Sequence, residues 1–248
     1  MSDILEGIRV GLVGIPGSGV RTLIGALSGT LEPATSGVRT WDDTNITVIA
    51  TRPDSFDLSD FDLLVMVVSA RQGVASDNAP VWQKATERGL PAMIVVTHLD
   101  DSVADLEEIA AMCQRALSDG GEIFLPSLPI FADDEHVCGF INLLSEEIVD
   151  WSDGGPVIYP SEPRHQELIA EARAELCESV MLAVVDDDLF DQYMSGTAID
   201  GETIEQHMFE QILRGLRHPV MGTGISPRLL GVGLLLDVIS ELNRHRQR

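Results

Sequence analysis

Arg9-Val-Gly-Leu-Val-Gly14-Ile-Pro-Gly17-Ser18-Gly19-Val20-Arg21-Thr22-Leu23 carries an apolar stretch into a glycine-rich turn and then into a segment of helical periodicity. Strand, glycine turn and helix together are the setting of a phosphate-binding loop, whose pattern is G-x-x-x-x-G-K-[ST]. Gly14 and Gly19 stand at the required separation. The next two positions break the pattern: Val20 stands where a lysine should reach the β/γ-phosphates, and Arg21 where a hydroxyl should hold Mg²⁺. Gly14, Gly17, Ser18 and Gly19 keep the backbone needed for a nest of N–H groups at a helix N-terminus, which binds anions. Arg21 replaces the missing cation only if the loop shifts by one residue, with Thr22 then taking the hydroxyl role. Otherwise both are ordinary first-turn helix residues.

Working outward, the first 130 residues alternate apolar strands with helical patterns, as a mostly parallel α/β sheet does. Expected strands are Ile8–Gly14, Ile46–Thr51, Leu63–Ser69, Ala92–Thr97 and Ile123–Leu128. Two of them, around Leu63-Leu-Val-Met-Val-Val68 and Met93-Ile-Val-Val96, are continuous apolar runs, as strands buried on both faces should be. Helices are expected at Arg21–Ser28, Asn78–Arg88 and Val103–Leu117, the last with Val103, Leu106, Ile109, Ala110 and Cys113 on one face. Beyond residue 130 the pattern changes. Phe131–Leu143 reads as a hairpin around an acidic turn, and Asp153-Gly-Gly-Pro156 leads into a long helix near Pro163–Val184. A second helix follows at Gly201–Leu216. Strand character returns at Pro219–Gly222 before a closing helix at Leu230–Leu242. The expected fold is α/β: a P-loop NTPase-type three-layer architecture with a mostly parallel sheet. An α+β insertion over 130–215 precedes its last strand, within one domain spanning 1–248.

The composition narrows the function classes. Sixteen basic against forty acidic side chains give a net charge of −24, and Lys84 is the only lysine. So negative a chain repels a nucleic-acid backbone, whose binding rests on Lys and Arg neutralising phosphates. Direct nucleic-acid binding is therefore not expected, and the basic end Arg244-His-Arg-Gln-Arg248 reads as a solvated tail. A partner steered by charge would be a protein with a basic face. The longest apolar run, Leu229 to Ile239, is too short to span a bilayer, and no signal-peptide pattern is present at the N-terminus. Cys113, Cys138 and Cys177 are odd in number and widely spaced, which suits free thiols in a cytoplasmic setting and not a disulfide framework.

The ordered motifs resemble a family, the G domain of translation elongation factor G and its paralogues. Ser69-Ala-Arg-Gln-Gly-Val-Ala75 followed by Val81–Pro91 is similar to the strand end and helix after the family's second switch. Ile94-Val-Val-Thr-His-Leu-Asp100 sits where the family has a strand ending in N-K-x-D. Glu175 to Leu216 resembles its insertion. Gly222-Thr-Gly with Gly231–Ile239 resembles the last guanine-contacting loop and closing helix. The resemblance covers nearly the whole chain, and the family's later domains are not expected in it.

The resemblance implies a site, residue by residue. Gly14, Gly17, Ser18, Gly19, Val20, Arg21 and Thr22 form a degenerate phosphate loop. Thr97, His98 and Asp100, with Thr223 and Gly224, form a candidate guanine site in which Asp100 accepts the base N–H groups. Asp100 has a second reading, as a helix cap together with Asp101 and Ser102. The first switch is shortened, with Thr40 as the nearest candidate for its threonine. The second switch reads Ala50-Thr51-Arg52-Pro53-Asp54, without the metal-organising acid or the water-positioning histidine. No catalytic residue and no metal site is expected. GTP or GDP is the candidate cofactor, and Mg²⁺ is not expected. Phosphoryl transfer relies on positioning and charge stabilisation; with those groups missing, the expected role is a stand-alone pseudo-GTPase or protein-interaction module. The alternative is a GTPase with a divergent loop whose catalysis a partner completes. His136 with Cys138, and the acidic runs at 133–135 and 186–188, read as surface features.

Overall fold

The computed structural model describes residues 7–51, 57–100, 105–117, 121–133, 135–224 and 229–248. Its centre is a seven-stranded sheet in the order β2-β3-β1-β4-β5-β11-β6. These strands are β1 (Ile8–Val13), β2 (Ser36–Trp41), β3 (Thr44–Ala50), β4 (Leu63–Ser69), β5 (Ala92–Thr97), β6 (Glu122–Phe124) and β11 (Arg217–Gly222). Every pairing is parallel except β2 with β3. Strand β4 shows why the run is continuously apolar. Leu63, Val65 and Val67 enter one core, and Leu64, Met66 and Val68 enter the other. Full burial of such side chains is worth about 1.5–3 kcal/mol each, so covering both faces dominates the fold's stability.

Helices α1 (Val20–Ser28) and α7 (Val232–Arg246) cover the first face, through Leu23, Leu27, Leu235 and Ile239. The opposite face carries α2 (Ala79–Glu87) and α3 (Leu106–Ala116), through Val81, Trp82, Ile109 and Cys113. The result is a three-layer α/β fold. Burial pushes the Cys113 thiol up to about 12, so it acts as an apolar core group.

A second, antiparallel sheet, in the order β10-β9-β8-β7, contains β7 (Ser127–Phe131), β8 (Val137–Asn142), β9 (Glu147–Asp150) and β10 (Val157–Pro160). The run Ile123–Leu128, expected as one strand, is divided between the two sheets. Pro126 lies between them and cannot donate to a ladder, and the residue before a proline is restricted as well. The chain therefore leaves the main sheet after Phe124. The second sheet is followed by α4 (Pro163–Leu182), α5 (Asp187–Met194) and α6 (Gly201–Leu213), after which β11 re-enters the main sheet between β5 and β6. The acidic run at Asp186 is a helix start: its carboxylate accepts the Leu189 N–H at 3.0 Å.

Strand β2 replaces what the sequence suggested was a short switch. Only residues 29–35 separate α1 from β2, and they are tied down. Gly29 ends α1 with φ 77°, Thr30 N donates to Gly25 O, and Ala34 N donates to Arg21 O at 2.9 Å. Gly25 has no room for a side chain, since a Cβ there would stand 2.1 Å from Glu32 O. Among the described residues, no helix is long and apolar enough to cross a membrane.

Candidate nucleotide site

The loop from Gly14 to Gly19 joins β1 to α1. Gly17 and Gly19 have φ 91° and 87°, left-handed values that L side chains adopt only with strain. Gly14 is required for a different reason, because a Cβ there would meet Ser18 Oγ at 2.3 Å and Val67 O at 2.7 Å. Ser18 N donates to Ile15 O, and Leu23 N donates to Gly19 O. Helix α1 starts at Val20, directly after Gly19, with neither a side-chain cap nor an acid in its first turn. The first N–H groups of a helix have no partner within it, and here Val20, Arg21 and Thr22 line an open cleft of about 790 Å³ with Gly14, Gly17 and Gly19.

Val20 folds back over the loop, its Cγ2 being 3.0 Å from where a Cβ on Gly14 would stand. Arg21 is exposed and lines the same cleft. No Asp or Glu is among the cleft's described lining residues. The switch residues Arg52, Pro53 and Asp54 lie outside the described residues. Thr40 is placed at the far end of β3, where it pairs with Asn45 and its hydroxyl donates to Asn45 Oδ1 at 2.8 Å. The end of β3 nearest the loop is Ala50, opposite Leu12, so Thr40 is not at the cleft.

The second half of the site comes from the ends of β5 and β11. Thr97 is fully buried, and its hydroxyl donates to Ser18 O at 2.7 Å. That hydroxyl has one proton, so the 2.9 Å contact with His98 Nδ1 has the imidazole as donor. His98 adopts φ 64°, which brings its Cε1 to 3.2 Å from a Cβ position on Gly19. Burial, with the Arg71 charge adding to it and Asp100 opposing it, holds the His98 pKa below the ordinary value. The ring at the cleft is therefore neutral near pH 7.

Thr223 N donates to Val96 O and Leu99 N to Thr223 O, at 2.7 and 3.2 Å, locking the two loops side by side. Asp100 lies against Gly224, where an added Cβ would be 2.5 Å from the Asp100 Cβ. Helix α3 takes its cap from Asp105, whose carboxylate accepts from Glu107 N and Glu108 N. Asp100 is thus not that cap; Asp101 and Ser102 lie outside the described residues. The structure brings together both groups of residues singled out from the sequence, with His98 as the hinge between them. The tie between Thr97 and Ser18 was not anticipated, nor was Gln72, whose Nε2 lies 2.8 Å from a Cβ position on Gly17. A polar residue closing an apolar strand was the only signal for the first.

The model of the family described as the elongation factor Tu GTP binding domain matches residues 54–241. The chain belongs to that family. Within it, the chain is 29% identical over 174 residues to an elongation factor G-like protein of Mycobacterium tuberculosis, covering 70% of this chain and 23% of that protein. It is 27% identical over 210 residues to elongation factor G 2 of Hahella chejuensis, with 80% and 30% covered. A crystal structure of a protein from Thermus thermophilus superposes over 95% of this chain and 40% of the other, with a TM-score of 0.77 and 23% identity. The chain thus spans about a quarter to a third of the curated relatives' length. It is an elongation factor G-like, translational GTPase-type G domain. The matched range begins after the Gly14–Gly19 loop.

Proposed function

We propose that this G domain is a pseudo-GTPase whose role rests on protein interaction, with weak or no guanine-nucleotide binding. The observation that carries this reading is Val20. It begins α1 in the lysine's place and turns its side chain onto Gly14, so this position brings no cation to the cleft. The residues do fit a smaller anion. In this reading the Gly17, Gly19 and Val20–Thr22 backbone along the cleft would take an α/β-phosphate, and Asp100, packed against Gly224, would meet a base edge. Nothing in the cleft's described lining prefers a γ-phosphate or holds Mg²⁺. A ligand with equal affinity for two states shifts neither population, so such a domain is not a nucleotide switch. The reading also puts the protein in the cytoplasm, supported by three cysteines that stand outside any disulfide and by likeness to an elongation factor G-like protein.

One observation favours a second reading: Arg21 lines the cleft beside the open helix start. There it would serve a GTPase whose catalysis a partner completes. Isothermal titration of GTP and GDP, with and without Mg²⁺, separates the two. The pseudo-GTPase binds both alike and ignores the metal. A GTP preference of about tenfold or more, about 1.4 kcal/mol, or Mg²⁺-dependent phosphate release that disappears in Arg21→Ala, establishes the second reading instead.

A further inference from the structure

Away from the nucleotide cleft, two cavities of opposite character meet between the second sheet and α7. One, of about 270 Å³, is lined by Glu147, Glu205, Asp237 and Glu241 over a floor that includes Phe140 and Phe209. The other, of about 430 Å³, is lined by Trp41, Trp151, Ile158, Val232 and Leu236, and also by Arg39, whose guanidinium stands 4.6 Å from the Trp41 ring centre. Val149, Leu234 and Asp237 belong to both, so they form one groove with an acidic half and a half that is apolar apart from Arg39 on its wall. Taken singly, the two volumes lie near the lower end of the range for ligand pockets, roughly 300–1,000 Å³.

The carboxylates are incompletely neutralised. Glu241 pairs with Arg244, and Asp237 accepts the Trp41 indole N–H at 2.7 Å. Glu147 and Glu205 have no cationic partner among the described residues. Burial, with Glu241, Glu202 and Glu147 nearby, raises the Glu205 pKa, and burial likewise raises that of Asp237. Bringing a cation here would relieve that repulsion. At the apolar end, Ile158 is 64% exposed on β10, which among the described residues pairs with β9 alone and leaves its other edge open. A free strand edge accepts an extended chain.

We propose that this groove docks an extended segment of a basic partner protein. A large apolar side chain enters the half lined by Trp41 and Trp151, and an arginine or lysine farther along the segment enters the carboxylate half. The proposal rests on the protein-interaction reading above and gives that partner its chemistry. The probes are fluorescein-labelled ten-residue peptides of alternating Leu-Arg, Leu-Gln, Gln-Arg and Leu-Glu, followed by anisotropy. The Leu-Arg peptide binds at least about tenfold tighter than the other three. Ile158→Asp, and separately the double variant Glu147→Gln with Glu205→Gln, each weaken it about tenfold, a change of about 1.4 kcal/mol, while GDP titration is unchanged.

Equal binding of Gln-Arg and Leu-Arg peptides would reduce the site to bare acidic attraction and overturn the proposal. So would indifference of the Leu-Arg peptide to both variants, or a dimer of this chain that Ile158→Asp disperses. A strong GTP preference alongside intact peptide binding defeats the pseudo-GTPase reading and leaves the groove standing. Lost peptide binding with equal GTP and GDP affinities removes the groove alone.

Discussion

Thr97 shows how much of this site depends on one hydroxyl. It stands where the family resemblance puts an asparagine, and from full burial it holds the Gly14–Gly19 loop through Ser18 O. Thr97→Val keeps the shape and leaves that carbonyl unpaired. It should cost about 1–3 kcal/mol in a denaturant titration, with faster amide exchange over residues 15–19. His98 offers a second test. Its native pKa lies below the ordinary 6.5 because burial disfavours the cation. The native state therefore binds fewer protons than the unfolded chain: this contribution to stability is full above about 6.5 and is lost as pH falls through the native value. A ring-proton NMR titration should give a midpoint below 6.5. At this scale the sequence was legible where backbone geometry dictates the residue, as at Gly14, Gly17 and Gly19. It was not legible where a contact joins residues 79 positions apart, as Thr97 joins Ser18.

Among the elements, the β2–β3 hairpin stands where the sequence suggested a short switch. The Trp41 indole donates to Asp237, the Ser240 hydroxyl donates to Trp41 O, and Arg244 pairs with Asp42, so the hairpin is fastened to α7 at three points. Trp41→Phe removes that donor from the exposed Asp237 carboxylate and one fastening of the hairpin to α7. It should lower stability by about 1 kcal/mol and release exchange protection in β2 before the rest of the sheet. This hairpin was not readable in advance, because Ser36–Trp41 alternates between exposed and half-buried positions with few apolar residues. Strands β4 and β5 carried the opposite signal, seven and six consecutive buried residues, and their bounds coincide with the expected ones. The small strands β9 and β10 and the eight-residue α5 are too short for periodicity to stand out.

For the whole molecule, a charge of −24 has its sharpest internal effect at Glu205, which Glu147, Glu202 and Glu241 face from β9, α6 and α7. Its native pKa is raised, so the associated stability is present below about 4.5, the unperturbed value, and is lost as pH rises through the native one. Glu205→Gln should therefore be more stable than wild type at pH 7 by about 0.5 kcal/mol. That advantage should vanish in thermal melts below the same unperturbed value. The order of the main sheet has a consequence for synthesis. Strand β11 fills the place between β5 and β6, and among the described residues β6 pairs with β11 alone. As the chain leaves the ribosome, β5, apolar from Ala92 to Val96, has no neighbour on its β11 side until residues 217–222 arrive, after the second sheet and α4–α6 have been made. An apolar strand waiting that long is an aggregation hazard. A nascent chain stalled near residue 216 should accordingly recruit holding chaperones, and one extended past α7 should shed them.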